Sequence, residues 1–205
     1  MENSKLKYGF QFSRERQILD KFMKKFFYSL FDLIKIVLVS LAIVIPIRYF
    51  LFQPFFVKGE SMEPNFDNNQ YLIVNEINYR FEYPKRGDVI VFRYPRDTRE
   101  FFIKRIIGLP GEKVEIKDGQ ITIYNQKNPK GFTIDEYYLP KTIFTSGNLS
   151  IQLKNDEYFV MGDNREHSYD SRRFGPVKKN LIIGRVWLRA WPPSSFGTIK
   201  TPIYK

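Results

Sequence analysis

An all-β soluble domain behind one N-terminal transmembrane helix is the architecture this sequence predicts, and three observations carry it. A basic segment leads into an apolar stretch of membrane-spanning length. Everything after residue 55 breaks into short β-branched and aromatic runs bounded by Gly, Pro, Asn or Asp. No amphipathic helical pattern of any length appears among those runs.

The first 28 residues hold Lys5, Lys7, Arg14, Arg16, Lys21, Lys24 and Lys25, and the apolar stretch runs from about Leu30 to Phe52. At 1.5 Å per residue that length spans roughly 30 Å, the hydrocarbon thickness of a bilayer. Asp32, Lys35 and Arg48 interrupt it, leaving Ile36 to Ile47 free of charge. Lys35 and Arg48 lie near opposite ends and can snorkel to the headgroups, while Tyr49, Phe50, Phe52, Phe55 and Phe56 form an interfacial aromatic group. Pro46 is tolerable in such a helix and bends it. The short uncharged core keeps a buried helix as the competing reading. A cleaved leader fits poorly, because the basic region is long and no small-x-small site follows. The positive-inside bias places residues 1–29 in the cytoplasm, the anchor at 30–52 and residues 53–205 outside.

Composition narrows the chemistry. The chain has no cysteine and one histidine, His167, which excludes thiol nucleophiles, disulfides, thiolate metal sites and multi-histidine metal sites. With 43% hydrophobic and 17% aromatic residues in 205, there is apolar material for one compact domain plus an appendage. The net charge of +11 is diffuse: nine Lys/Arg face four Asp/Glu in residues 1–53, and 24 face 18 in the remainder. Basic and acidic residues mostly alternate in the C-terminal part, as in Arg96-Asp97-Thr98-Arg99-Glu100. That is a solvated mixed surface rather than a phosphate-binding stripe, and anionic lipid is the better partner for the basic flank.

Strands are predicted at Tyr71–Val74, Val89–Phe92, Phe101–Ile103, Val114–Ile116, Ile121–Tyr124, Tyr158–Met161 and Ile182–Leu188. Lys117-Asp118-Gly119-Gln120 reads as a hairpin turn, since Asp-Gly supplies the positive φ angles a two-residue turn requires. Between about 113 and 153 the sequence grows more polar, which predicts a small β insertion on the main sheet.

Two segments carry the candidate chemistry. Ser61 sits in Gly59-Glu60-Ser61-Met62-Glu63-Pro64, a hydroxyl on a glycine-led bend. Lys104 sits in Phe102-Ile103-Lys104-Arg105-Ile106-Ile107-Gly108-Leu109-Pro110-Gly111, on one strand face with apolar Phe102 and Ile106. Serine needs a base to become a nucleophile, and lysine serves only if burial lowers its pKa by several units from about 10. Taken alone, each residue reads better as a turn serine or an edge-strand lysine. A third segment, Met161-Gly162-Asp163-Asn164-Arg165-Glu166-His167-Ser168-Tyr169-Asp170-Ser171-Arg172, has the polar density of a hydrogen-bonded site loop.

Taken together with Arg86-Gly87-Asp88-Val89-Ile90-Val91-Phe92, and in this order and spacing, the three segments resemble the type I signal peptidases, membrane-anchored Ser/Lys proteases. The resemblance extends from the anchor to about Ala190. It implies a signal peptidase/LexA-like β-fold, Ser61 as nucleophile, Lys104 as general base, and Ser168 as the serine that orients the lysine. Asp163, Asp170 and Arg172 match positions that brace the site. The oxyanion hole would use the Ser61 backbone N–H, and where some members place a serine hydroxyl two residues earlier, this chain has Gly59. His167 stands where asparagine is common, in a loop already accounted for by lysine chemistry, and is expected to be dispensable.

The implied function is removal of signal peptides from exported pre-proteins at the outer face of a bacterial cytoplasmic membrane, after small residues at −1 and −3. No cofactor, metal or nucleic acid is expected, the partners are pre-proteins and membrane phospholipid, and a monomer suffices. Two alternatives stay open at this point: a related Ser/Lys protease processing pilin or conjugation proteins, and a catalytically inactive, membrane-tethered β-domain that binds exported proteins or lipid.

Overall fold

The computed structural model describes residues 2–50, 52–202 and 204, with side chains for 21–45, 53–202 and 204. The chain forms two units, Met1–Arg48 and Tyr49–Lys205. The first is helix α1, Glu2–Phe50, which continues back through the basic flank. Its membrane-length apolar stretch is Lys21–Ile45, 25 residues with none of the window buried. That stretch starts upstream of Leu30 because Phe22, Met23, Phe26, Phe27 and Tyr28 surround Lys24 and Lys25 with apolar surface. The side chains of Pro46, Arg48, Tyr49, Phe50 and Phe52, on which the expected bend and interfacial group depend, lie outside the described residues.

The second unit is β, as expected. Its described strands are β1 (Phe52–Phe56), β2 (Tyr71–Asn75), β3 (Val89–Tyr94), β4 (Asp97–Gly108), β5 (Lys113–Lys117), β6 (Gln120–Tyr124), β7 (Phe132–Thr133), β8 (Leu149–Gln152), β9 (Glu157–Met161), β10 (Val177–Lys178), β11 (Ile182–Trp191) and β12 (Gly197–Thr198). Two four-residue helices, α2 (Asn78–Phe81) and α3 (Ser171–Phe174), and two single-turn 3-10 helices, Lys179–Leu181 and Pro193–Ser195, accompany them. The main sheet runs β1-β2-β11-β3-β4-β9-β10 with β12 on β11, and the second runs β7-β6-β5-β8. Each of these pairings is antiparallel.

Sequence pattern explains the placement. Val89–Phe92 is apolar on both faces and buried at all four positions, so β3 lies inside the sheet, whereas β2 buries only Leu72 and Val74 of its five residues. Asp118 and Gly119 have φ of 50° and 80° between paired Lys117 and Gln120, the geometry of a two-residue hairpin turn. One core cluster joins the sheets: Val114, Ile116, Ile121 and Ile123 of the second pack on Ile107, Phe159 and Met161 of the first. The other two clusters cover opposite faces of the main sheet, one around Val74, Val89 and Val91, the other around Ile90, Phe92 and Ile106.

β4 changes partners along its length. It pairs with β3 from Asp97 to Arg105, but with β9 only from Arg105 onward. Among the described residues, 97–104 therefore present a free edge, as does the outer side of β1, which pairs there only with β2.

Gly108 marks the point where β4 passes from one sheet's core to the other's. A Cβ there would sit 2.5 Å from Val114 Cγ2, 2.9 Å from Leu153 Cδ1 and 3.0 Å from Phe159 Cβ. Gly108→Ala is therefore expected to destabilise the domain by about 1–3 kcal/mol through overpacking. Denaturant unfolding checks it, with an unchanged midpoint counting against this packing.

Candidate active site

Ser61 occupies a turn anchored from below. Met62 and Phe66 are each 1% exposed in the cluster beneath the sheet, and Glu63 N and Phe66 N donate back to Glu60 O at 3.1 Å and Met62 O at 2.9 Å. Gly59 enters the turn at φ +90°, a conformation that favours glycine, and its N–H donates to Asn68 Oδ1 at 3.0 Å. Ser61 is left half-buried at the rim of a cleft.

Lys104 comes from the free-edge part of β4. Its Nζ lies 2.8 Å from Ser61 Oγ and donates to Ile103 O at 2.9 Å. The residue is 4% exposed, and its Nζ stands 5.4 Å above the Phe102 ring. Burial pulls the amine down to about 8, against the opposing fields of Asp170 and Asp163. Ile106, two residues on, packs into the cluster with Ile90 and Phe92.

The 162–172 loop closes over this pair. Asn164 N donates to Ser61 O at 3.1 Å and Asn164 Nδ2 to Glu60 O at 3.1 Å, so one residue clamps two successive carbonyls of the Ser61 turn. Gly162 is required by closeness: a Cβ would stand 2.3 Å from Ser61 O and 2.2 Å from Ser168 Oγ. Asp163 is fully buried and accepts from Arg105 Nε at 2.8 Å, Arg105 Nη2 at 2.6 Å and Asn65 Nδ2 at 2.9 Å. Asp170 caps α3 and accepts from Arg172 Nε at 2.9 Å, Arg172 Nη2 at 2.8 Å and Gly162 N at 3.1 Å. Burial pushes its carboxyl up, and Arg172, the Gly162 N–H and Ser168 more than reverse this, leaving it below the ordinary carboxylate value.

Ser168 is buried beside Asp170, close enough to help hold that carboxyl down, but its Oγ meets hydrogen-bond geometry with no group among the described residues. The bond expected from it to Lys104 is absent, and Lys104 Nζ bonds Ser61 Oγ and Ile103 O instead. His167 is exposed on the cleft wall, and its described hydrogen bond is a backbone one, to Asn164 Oδ1 at 3.4 Å.

Several supporting residues were not singled out by sequence reasoning. Asn164 and Arg165 lie in the quoted loop without an assigned role, and Asn65 and Glu136 gave no signal at all. Arg165 is 2% exposed; its Nη1 reaches Glu136 Oε2 at 2.6 Å and its Nε reaches Gly162 O at 3.1 Å. It thereby ties the segment before β8 to the site loop. No group of three or more metal-ligating side chains occurs among the described residues.

The cleft holds about 750 Å³ and is bounded by Phe55 to Ser61 on one side, Glu100 to Lys104 on the other, and His167 with Tyr169. It thus runs between the free edges of β1 and β4, with the Ser61–Lys104 pair on its wall.

The chain is similar to known proteins along most of its length. The family model described as "Signal peptidase, peptidase S26" matches residues 30–191. Signal peptidase I of Leptolyngbya laminosa is 36% identical over 177 residues, covering 82% of this chain and 83% of that protein. Signal peptidase IB of Staphylococcus aureus is 33% identical over 185 residues, covering 85% and 94% respectively. A crystal structure of a signal peptidase I from Enterococcus faecalis V583 is 32% identical and covers 51% of this chain and 97% of that one, with a TM-score of 0.43.

Removing one partner of a buried ion pair leaves the other charge stranded. Asp163→Ala strands Arg105, which is 3% exposed, and is expected to cost about 3–5 kcal/mol of stability. Urea unfolding measures it, and a loss below 1 kcal/mol would contradict the pairing.

Proposed function

Because the chain belongs to the signal peptidase family, peptidase S26, we propose that it cleaves signal peptides from exported pre-proteins with Ser61 as nucleophile and Lys104 as general base. The observation that supports this best is the 2.8 Å approach of a nearly buried amine to a hydroxyl that opens on a cleft. With its pKa near 8, about a tenth of Lys104 is the free amine at pH 7, against well under a thousandth for an ordinary lysine.

The free amine accepts the Ser61 proton as Oγ attacks the scissile carbonyl. The lysinium formed is stabilised by the Ile103 carbonyl and by the fields of Asp170 and Asp163, and returns a proton to the leaving amine. Water then releases the acyl group with the same base. The Ser61 N–H faces the developing oxyanion, and Gly59, in place of a hydroxyl-bearing residue, adds no side-chain donor.

An extended substrate strand docks between the free edges of β1 and β4, where its backbone finds unpaired partners. Alternate side chains then point to the same wall, so the −1 and −3 residues are read together and −2 is not. The helical stretch Lys21–Ile45, led by basic residues, anchors the enzyme as a monomer in the cytoplasmic membrane, with the basic end in the cytoplasm and the β unit outside.

Ser61→Ala and Lys104→Arg should each reduce pre-protein cleavage to background with unchanged unfolding, because nucleophile and base act as one unit and guanidinium stays charged. Wild-type kcat should rise with pH through about 8 and then level, since only the deprotonated amine is competent. His167→Ala should keep most activity. A Lys104→Arg enzyme that still turns over would reject the pair.

Orientation is checked separately. Protease added to intact spheroplasts should digest the β unit or trim it to a resistant core while sparing the basic N-terminus. Protection until lysis would reverse the topology.

A further inference from the structure

Residues 192–205 lie beyond the segment matched by the family, yet their described part packs against the back of the site. Thr201 Oγ1 donates to Asp88 Oδ1 at 2.6 Å; Asp88 is 1% exposed and also accepts from Tyr79 Oη at 2.8 Å and Lys85 N at 2.9 Å. Beyond this anchor, Pro202 and Tyr204 lie directly on Gly87. A Cβ at Gly87 would stand 2.9 Å from the Tyr204 ring and 3.0 Å from Pro202 Cδ, and its φ of +88° independently favours glycine.

Gly87 is itself tied to the site. Its carbonyl accepts from Arg105 Nη1 at 3.0 Å, and the other guanidinium nitrogens hold Asp163. The Arg105 guanidinium lies 4.1 Å over the Tyr138 ring, and Tyr138 meets Tyr204 edge-on at 6.4 Å. Asp163 in turn holds Asn65, in the segment just after Ser61. A continuous path of contacts therefore runs from the C-terminal segment through Gly87, Arg105 and Asp163 to the nucleophile turn.

We propose that Thr201, Pro202 and Tyr204 form a strap of positioning residues, which fixes Gly87 and Arg105 and thereby sets the Asp163 carboxylate behind the Ser61–Lys104 pair. None of the three touches substrate. The proposal rests on the Ser/Lys reading above, since it concerns how that pair is held.

The charged surroundings give the strap a signature that simple packing lacks. Lys104 is faced by Asp163 and Asp170; Asp163 by Arg105, Arg165 and Tyr204; Asp170 by Arg172; and Glu136 lies beside Arg165, Tyr138 and Tyr204. If Arg105 loosens, Asp163 is less neutralised, and its field holds the proton on Lys104 more strongly. The acidic limb of the rate profile then moves to higher pH.

The test uses the full chain in detergent micelles with a pre-protein substrate. Tyr204→Ala should lower kcat on the order of tenfold at neutral pH, as small misplacements at a reacting centre do. KM should stay unchanged and the acidic limb should move up. Tyr204→Phe, which keeps the ring against Gly87, should behave as wild type. A Tyr204→Ala enzyme with wild-type kcat and acidic limb would overturn the strap, whatever its melting temperature. Should that variant not fold, Tyr204→Leu decides on the same two readouts. Ser61→Ala in the same assay separates the two levels: residual activity there rejects the Ser/Lys reading, whereas background activity there with an unaffected Tyr204→Ala rejects only the strap.

Discussion

Lys104 can act as a base only as a free amine, and what frees it is burial against Phe102 at the point where β4 leaves β3 as its sole partner. Burial alone would lower the pKa further and disfavour the amine's taking up a proton. Asp170 and Asp163 oppose it, and the balance falls near 8. That setting leaves enough free amine at neutral pH for the proposed base and still tolerates its protonated form.

Two buried carboxylates near a buried amine create a second problem, because each must itself be neutralised. Arg105 answers Asp163 and Arg172 answers Asp170, in both cases through paired N–H donors that also fix orientation. The same loop that carries the acids holds the Ser61 and Glu60 carbonyls through Asn164. Ser61, Lys104 and the carboxylates behind them thus belong to one hydrogen-bonded body. Arg165 and Glu136 extend it into the segment between β7 and β8, and Gly87 extends it to the C-terminal residues.

Local patterns made much of this legible. Ser61 and Lys104 stand in short segments whose neighbours announce their settings, and Asp118-Gly119 announces its own turn. Seven strands were visible from β-branched alternation, but β7, β10 and β12 are two residues long and leave no period to read. β1 was hidden because its Phe-rich run reads equally as an interfacial belt; in the fold Phe55 packs on Phe101 at 5.6 Å, while Phe56 is 50% exposed. Arg165 with Glu136, Asn65 with Asp163, and Tyr204 with Gly87 join residues 29, 98 and 117 positions apart, and no local pattern encodes such pairings. Ser168 shows the opposite case: its place in the loop is clear in the sequence, but its hydroxyl sits beside Asp170 with no hydrogen bond among the described residues.

The central claim is that the Lys104 amine titrates far below an ordinary lysine because of where it is buried. Carbon-13 NMR of ε-labelled lysine in the full-length protein, assigned by comparison with Lys104→Arg, measures this without turnover. The account predicts one lysine titrating near 8 that is missing from the variant. A Lys104 resonance that titrates with the surface lysines, near 10.4, would contradict it.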